Sequence, residues 1–304
     1  MNTATLIQNL QRPTERVDMV LDTDTYNEID DQFAVAYMMA NSDKLNVKAI
    51  YIAPFLNERS ENPKDGMEKS YDELIKLLAL MDKSDMAADV YKGSEQFLAD
   101  EKTPVVSPAA AHLAELAMHY TPENPLYVVA IGAITNVASA ILINPQIIEN
   151  IVIVWLGGHA FHWKDTKEFN LIQDVAAARV IFGCGAPVVQ LPCMGVVSAF
   201  TISESELRYW LKGKNKICDY LAENTIGEAS SYASGKPWTR VIWDVTAVAW
   251  LLDGEFFAEC LEKSPIPEYD GFYAFDRDRH LIKYIYHVNR DLLVEDLFKK
   301  LAEM

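Results

Sequence analysis

Positive charge is scarce in this chain: 27 Lys and Arg stand against 44 Asp and Glu, for a formal net charge of −17. Phosphate backbones are gripped by clustered Lys and Arg, so this balance argues against nucleic acid as a partner. Acidity by itself otherwise speaks only of solubility. Cysteine is scarcer still, and Cys184, Cys193, Cys218 and Cys260 lie far apart without C-x-x-C spacing, so ordinary reduced thiols are expected rather than a thiolate metal site or redox pair. No apolar run reaches the roughly 18 residues of a membrane span. The opening MNTATLIQNLQRPTERVDMV lacks the basic and apolar regions of a secretory signal. Linkers, repeats and low-complexity tracts are missing too. These absences predict a cytoplasmic globular protein with no membrane partner, folded as a single domain over 1–304.

Half of the residues are hydrophobic, enough for a substantial core. Short β-branched runs at 17–22, 46–52, 126–131, 151–156 and 187–191 alternate with helical patterns at 31–41, 67–82, 108–119, 134–143 and 174–183. Near-continuous apolar strands separated by amphipathic helices predict an α/β fold, a mostly parallel sheet sandwiched by helices. Beyond 203 the pattern turns mostly helical, with a strand-like 281–287 and a helix at 292–302, so a helical C-terminal portion is expected.

Negative charge is concentrated in MVLDTDTYNEIDDQFAVAYMM (19–39), which holds Asp22, Asp24, Glu28, Asp30 and Asp31 where the first strand ends. Such carboxylates repel one another unless a cation or hydrogen-bond donors sit among them. Ligands in open α/β sheets bind beyond the carboxyl ends of the strands, where Asp22 and Asp24 fall. Asp30 and Asp31 could serve as a helix cap, but Asp22 and Asp24 could not. A hard divalent cation bound through oxygen fits all four.

Two families place aspartates at this point. Asp22-Thr23-Asp24 resembles the D-x-D of haloacid-dehalogenase-like phosphatases, but Tyr26 stands where they need Thr or Val, and their later lysine and acidic pair have no match. The whole stretch 22–31 resembles the D-x-D-P-G-x-D-D signature of the inosine–uridine-preferring nucleoside hydrolases, two residues longer and without Pro-Gly. Three further matches follow in that family's order: VVAIGAITNVASAI (128–141), IVWLGGHAFHWKDTKEFNLIQDVAAARVIF (153–182) and VIWDVTAVAWLL (241–252).

The resemblance implies a Rossmann-like nucleoside hydrolase fold and Ca2+-dependent cleavage of a ribonucleoside. Metal ligands would be Asp24, Asp31, Asp244 and the Ile131 carbonyl, with Asp24 also the base that deprotonates water. Asp22 would orient its neighbours, and Thr135 and Asn136 would hold their turn. Asp30, Glu168 and Asn170 would contact ribose. Extended geometry would point Glu168 and Asn170 to one face, one accepting and the other donating. Phe55 occupies the family's second-strand asparagine position, so Asn57 is the substitute candidate, on a segment 55–66 that could act as a lid. The family's histidine before the last Asp, which helps the base leave, is Trp243 here. Indole cannot supply a proton, so His162, or else His159, is the candidate for that help. Trp163, Trp238 and Trp243 are candidates to stack on a base. His112, His119, His280 and His287 read as surface or packed residues. The partner expected is a nucleoside or other small riboside, and the family's habit of association suggests a homo-oligomer. The alternatives left open are a metal-dependent hydrolase of another ribosyl or glycosyl compound, and a non-catalytic binder of metal and sugar.

Overall fold

The computed structural model describes residues 2–252 and 254–304. Twelve strands are described among them: β1 Val17–Thr23, β2 Leu45–Ile52, β3 Val90–Lys92, β4 Leu126–Ala130, β5 Ile151–Leu156, β6 Val188–Leu191, β7 Thr201–Ser203, β8 Thr239–Val241, β9 Phe257–Lys263, β10 Ile266–Pro267, β11 Tyr273–Ala274 and β12 Leu281–Val288. The helices are α1 Thr3–Asn9, α2 Ile29–Ala40, α3 Pro63–Leu80, α4 Pro108–Leu116, α5 Thr135–Ile143, α6 Phe169–Gln173, α7 Val175–Gly183, α8 Glu204–Trp210, α9 Lys216–Ala233, α10 Val245–Ala249 and α11 Arg290–Ala302.

Eight strands form one sheet in the order β3-β2-β1-β4-β5-β6-β12-β9, parallel throughout except for β9, which runs antiparallel to β12. Period-two alternation divides the core. Met19 and Leu21 of β1 and Val152 and Val154 of β5 pack on one face, while Val20, Ile151, Ile153 and Trp155 pack on the other. Both faces are covered, which is why these strands read as continuous apolar runs. Helix α2 is buried from Ile29 to Met39, so its first turn opens inside the protein rather than at its surface.

Chain order reverses at β1, which pairs with β2 on one side and β4 on the other. That reversal opens a crevice beyond the strand ends, the position where such sheets take ligands.

The expected parallel strands and their helices are present, with bounds shifted by a few residues. The stretch after 203 is helical in α8, α9, α10 and α11 but also returns to the sheet. β9 joins as an edge strand, and β7–β8 and β10–β11 make two small antiparallel two-stranded sheets. β9 escaped notice because FAECLEK carries Glu259, Glu262 and Lys263 on a half-solvated edge and lacks an apolar run. No helix among the described residues is long and apolar enough to cross a membrane.

Candidate active site

β1 delivers Asp22 and Asp24 to the crevice, and both are fully buried. Asp22 sits between β2 and β4, opposite Tyr51 and Ala130. Its Oδ1 accepts from Asn136 Nδ2 at 2.7 Å. Asn136 also donates to the Ile52 carbonyl and accepts from the Ser94 amide and hydroxyl, so one side chain ties three strand ends together. Thr135 donates to Asp174 Oδ2, and Asp174 caps α7. This turn does the holding that the sequence suggested for it. Gly132 follows β4, and a Cβ there would stand 3.2 Å from Asp24 Cγ and 3.0 Å from Ala53 Cβ, so only glycine leaves Asp24 its room.

The buried first turn of α2 brings Asp30 and Asp31 to the same point, and the start of α10 brings Asp244. Oxygens of Asp30, Asp31 and Asp244 lie within 4.8 Å of one another. Asp24 lies against Asp31, whose Oδ1 accepts from Thr23 at 2.6 Å. Simple capping does not account for these groups: the N-cap of α2 is Glu28, without a side-chain capping bond, and Asp244 makes none at α10. Both oxygens of Asp24, Oδ2 of Asp22 and Oδ1 of Asp30 are buried without a partner. Burial pushes Asp22, Asp30 and Asp31 up to about 7, with Asp31 adding to the push on Asp30. Burial and the neighbouring aspartates raise Asp24 and Asp244 as well. Unpartnered, all-oxygen and charge-strained, this donor set fits a hard divalent cation.

Over the carboxylates lies a cavity of about 240 Å³ lined by Asp30, Asp31, Ile131, Glu168, Asn170, Trp243 and Asp244 from the expected set. Asp24 is not in the lining and lies buried against Asp31. Two expectations about the wall need correction. Glu168 and Asn170 do not share one extended segment; Glu168 keeps extended backbone but is the N-cap of α6, and Asn170 is in the first turn of that helix. Glu168 accepts from the amides of Gly158, Asn170 and Leu171 at 2.8–2.9 Å, and the Cys193 thiol also hydrogen-bonds to it. Asn170 spends both amide protons on the Ile131 and Leu156 carbonyls, so it can accept from a hydroxyl but not donate to one. The Ile131 carbonyl keeps its second lone pair. Gly158, at φ +74°, has no room for a side chain because a Cβ there would meet the Tyr273 hydroxyl at 1.9 Å.

Four other candidates are displaced. Asn57 does not line the cavity; its Nδ2 donates to Asn27 Oδ1 at 2.7 Å, and Asn27 is the lining residue. His162 is exposed and outside the lining, whereas His159 is within it. Trp163 is at the surface with its ring against His159, and Trp238 packs on the core edge, leaving Trp243 as the tryptophan of the wall. The segment 55–66 is fastened by Leu56 to Gln173 and by Arg59 to Glu228.

Asn27, Glu28, Lys167, Phe169, Cys193 and Met194 also line the cavity and were not assigned roles from sequence. The first two are in the lengthened part of the aspartate motif, and Cys193 and Met194 follow the carboxyl end of β6, so motif length and the strand-end rule were signals for them. Arg240 pairs with Glu28 at 2.8 Å and holds the cavity rim from β8.

The model of the inosine-uridine preferring nucleoside hydrolase family matches residues 19–289, and the chain belongs to that family. The family is one of N-glycosyl hydrolases. Among curated relatives, a pyrimidine-specific ribonucleoside hydrolase of Klebsiella pneumoniae is 24% identical over 93% of this chain and 98% of its own length. The same kind of enzyme from Photobacterium profundum is 26% identical over 51% of this chain, and there the chain spans about half (52%) of the relative. A solved plant nucleoside hydrolase shares the fold with a TM-score of 0.76 at 19% identity, over 95% of this chain and 99% of that one.

Proposed function

We propose that the chain, acting as one domain, hydrolyses the N-glycosidic bond of a ribonucleoside to ribose and a nucleobase, and that it does so with Ca2+. Asp24, Asp31, Asp244 and the Ile131 carbonyl would hold the ion, with Asp30 beside them. When bound, the ion would make water a better nucleophile near neutral pH. Asp24 would take the proton from the attacking water. Asp30, Glu168 and the Asn170 side-chain oxygen would accept from ribose hydroxyls, the Cys193 thiol giving way at Glu168. These contacts gain strength as the sugar becomes cationic, which is where binding energy accelerates glycosidic cleavage. Trp243 and Phe169 would flank the base.

The observation that carries this reading is the set of buried carboxylate oxygens without partners at the floor of a cavity that Asp30 lines and whose wall offers hydroxyl acceptors. Glu28, Asp30, Asp31, Glu168 and Asp244 outnumber Lys167 among the charged lining residues, so a neutral nucleoside suits the cavity better than a nucleotide. Exposed Tyr269, Phe272, Phe275 and Tyr286 offer a surface for self-association. Chromatographic release of base from a panel of purine and pyrimidine nucleosides, with EDTA and with Ca2+ restored, tests the function. Turnover that ignores EDTA, or binding of ribose without turnover of any riboside, would refute it.

A further inference from the structure

Departure of the base is the step for which the family's histidine is missing. Trp243 offers an indole N–H and no transferable proton, and His162 lies outside the cavity. His159 lines it, next to Met194. Its Nδ1 accepts a hydrogen bond from the Met194 backbone amide at 3.2 Å. A ring nitrogen that accepts from an N–H carries no proton, so the proton is on Nε2.

Resting on the nucleoside hydrolase reading above, we propose that His159 assists departure of the nucleobase as a neutral hydrogen-bond donor through Nε2–H, and not as an acid that gives up a proton. Forming the imidazolium would require a proton on Nδ1, facing the Met194 N–H, with loss of that hydrogen bond. Burial, rather than the charged groups around the ring, favours neutrality. Burial lowers its pKa and Lys164 works in the same sense, while Asp165 opposes them. Lys167 and Glu168 line the same cavity, their segment tied to that of His159 by the Thr166 and Glu168 side chains, and the Trp163 ring meets the imidazole edge-on with ring centres 6.3 Å apart. A neutral imidazole holds its remaining proton too tightly to transfer it, but that N–H can still stabilise developing negative charge. The C1′–N bond breaks with its electron pair going to the base. Water oxygen bonds to C1′, its proton passes to Asp24, and the base leaves as an anion that is protonated by solvent after release. Bases able to carry negative charge are therefore the favoured leaving groups.

Two substitutions separate donation of a hydrogen bond from donation of a proton. His159→Gln can present an amide N–H near the place of Nε2 but cannot titrate, and His159→Phe keeps a ring and loses the donor. In the full-length, Ca2+-loaded protein, His159→Phe should lower kcat/KM for inosine or uridine by about 10²-fold, the scale of losing one preorganised donor. The loss on p-nitrophenyl riboside, whose leaving group needs little help, should be far smaller. His159→Gln should retain within about 10-fold of wild-type activity on the nucleosides, with the pH profile unmoved. Nitrogen-15 NMR of His159 should report the neutral Nε2–H tautomer from pH 5.5 to 8, a readout that does not depend on activity.

An imidazolium signal near pH 7, or His159→Gln as impaired as His159→Phe with a limb of the pH profile lost, would overturn the proposal. So would an unaffected His159→Phe, above all if Lys167→Met then lost the nucleosides selectively. A wild-type protein that cleaves neither nucleosides nor p-nitrophenyl riboside would overturn the hydrolase reading, and this inference with it. Activity with the wrong variant pattern overturns the inference alone.

Discussion

Stripped of its cation, the protein should lose stability as the pH rises from 5 to 7, the reverse of what buried carboxylates bound to arginine would produce. Burial pushes Asp22, Asp30 and Asp31 up to about 7, with Arg240 offsetting only part of it at Asp30, against an ordinary carboxyl near 4. A carboxyl whose pKa is higher folded than unfolded binds more protons in the native state. The stability it contributes is complete below about pH 4 and is lost as the pH climbs through about 7. Each unit is worth about 1.4 kcal/mol. For Asp22 alone, the rise from pH 5 to 7 costs about 2 kcal/mol, because the slope flattens as the pH meets the folded pKa, or roughly 4 °C in Tm for a chain of this size. His280 works in the opposite sense, because burial holds it near 4 and its neutrality penalises the fold below about pH 6.5. A His280→Gln background removes that contribution. Ca2+ would replace the protons, since binding requires ionised carboxylates, so its stabilising effect should be larger at pH 8 than at pH 5. Calorimetric melting of EDTA-treated and Ca2+-loaded protein at pH 5, 6, 7 and 8 measures both effects. A cation-free Tm that is flat or rising in the His280→Gln background, or a Ca2+ shift equal at all four pH values, would refute the reasoning.

Asp244→Asn should weaken Ca2+ binding, measured by calorimetric titration, and reduce turnover at least 10²-fold, the scale of losing a group that stabilises charge in the reaction; unchanged affinity would move the ion elsewhere. Asn136→Ala strips partners from Asp22, Ser94 and the Ile52 carbonyl, all buried, at about 1–3 kcal/mol each. A total near 4 kcal/mol should appear as a lower denaturation midpoint, and a change below about 1 kcal/mol would mean that water replaces the amide. Glu168→Gln sets an amide NH2 or a weaker acceptor against three backbone N–H groups, so it should cost about 1–2 kcal/mol of stability as well as turnover. Loss of turnover with no thermal shift would mean that Glu168 acts on substrate alone.

The sheet and the carboxylate set were legible in the sequence because both follow from local rules. Buried parallel strands must be apolar on both faces, and aspartates at the end of such a strand stand out for that reason. Edge strand β9 was not legible, since a half-solvated strand need not be apolar. Geometry beyond the neighbouring residue was the other limit. Glu168 and Asn170 were recognisable as a pair, yet whether they lie in a strand or at a helix start depends on the Gly158 amide, ten positions earlier. His159 and His162 are three positions apart in one loop, and only the turn that sets His159 against the Met194 amide decides which enters the cavity. Asn57 pointed at the right neighbourhood, but its amide ends on Asn27.

The two sides of the cavity are built from different material. Asp24, Asp31 and Asp244 are rooted in β1, in the buried turn of α2 and at the start of α10, elements that cannot shift without opening the core. Facing them, Asn27, His159, Lys167, Met194 and Trp243 stand on connecting segments. Exchanging those segments should therefore retarget the enzyme to another base or riboside while leaving the bond it breaks unchanged, and a library confined to the loops around 27, 159–167 and 194 would explore substrate choice at little risk to the fold.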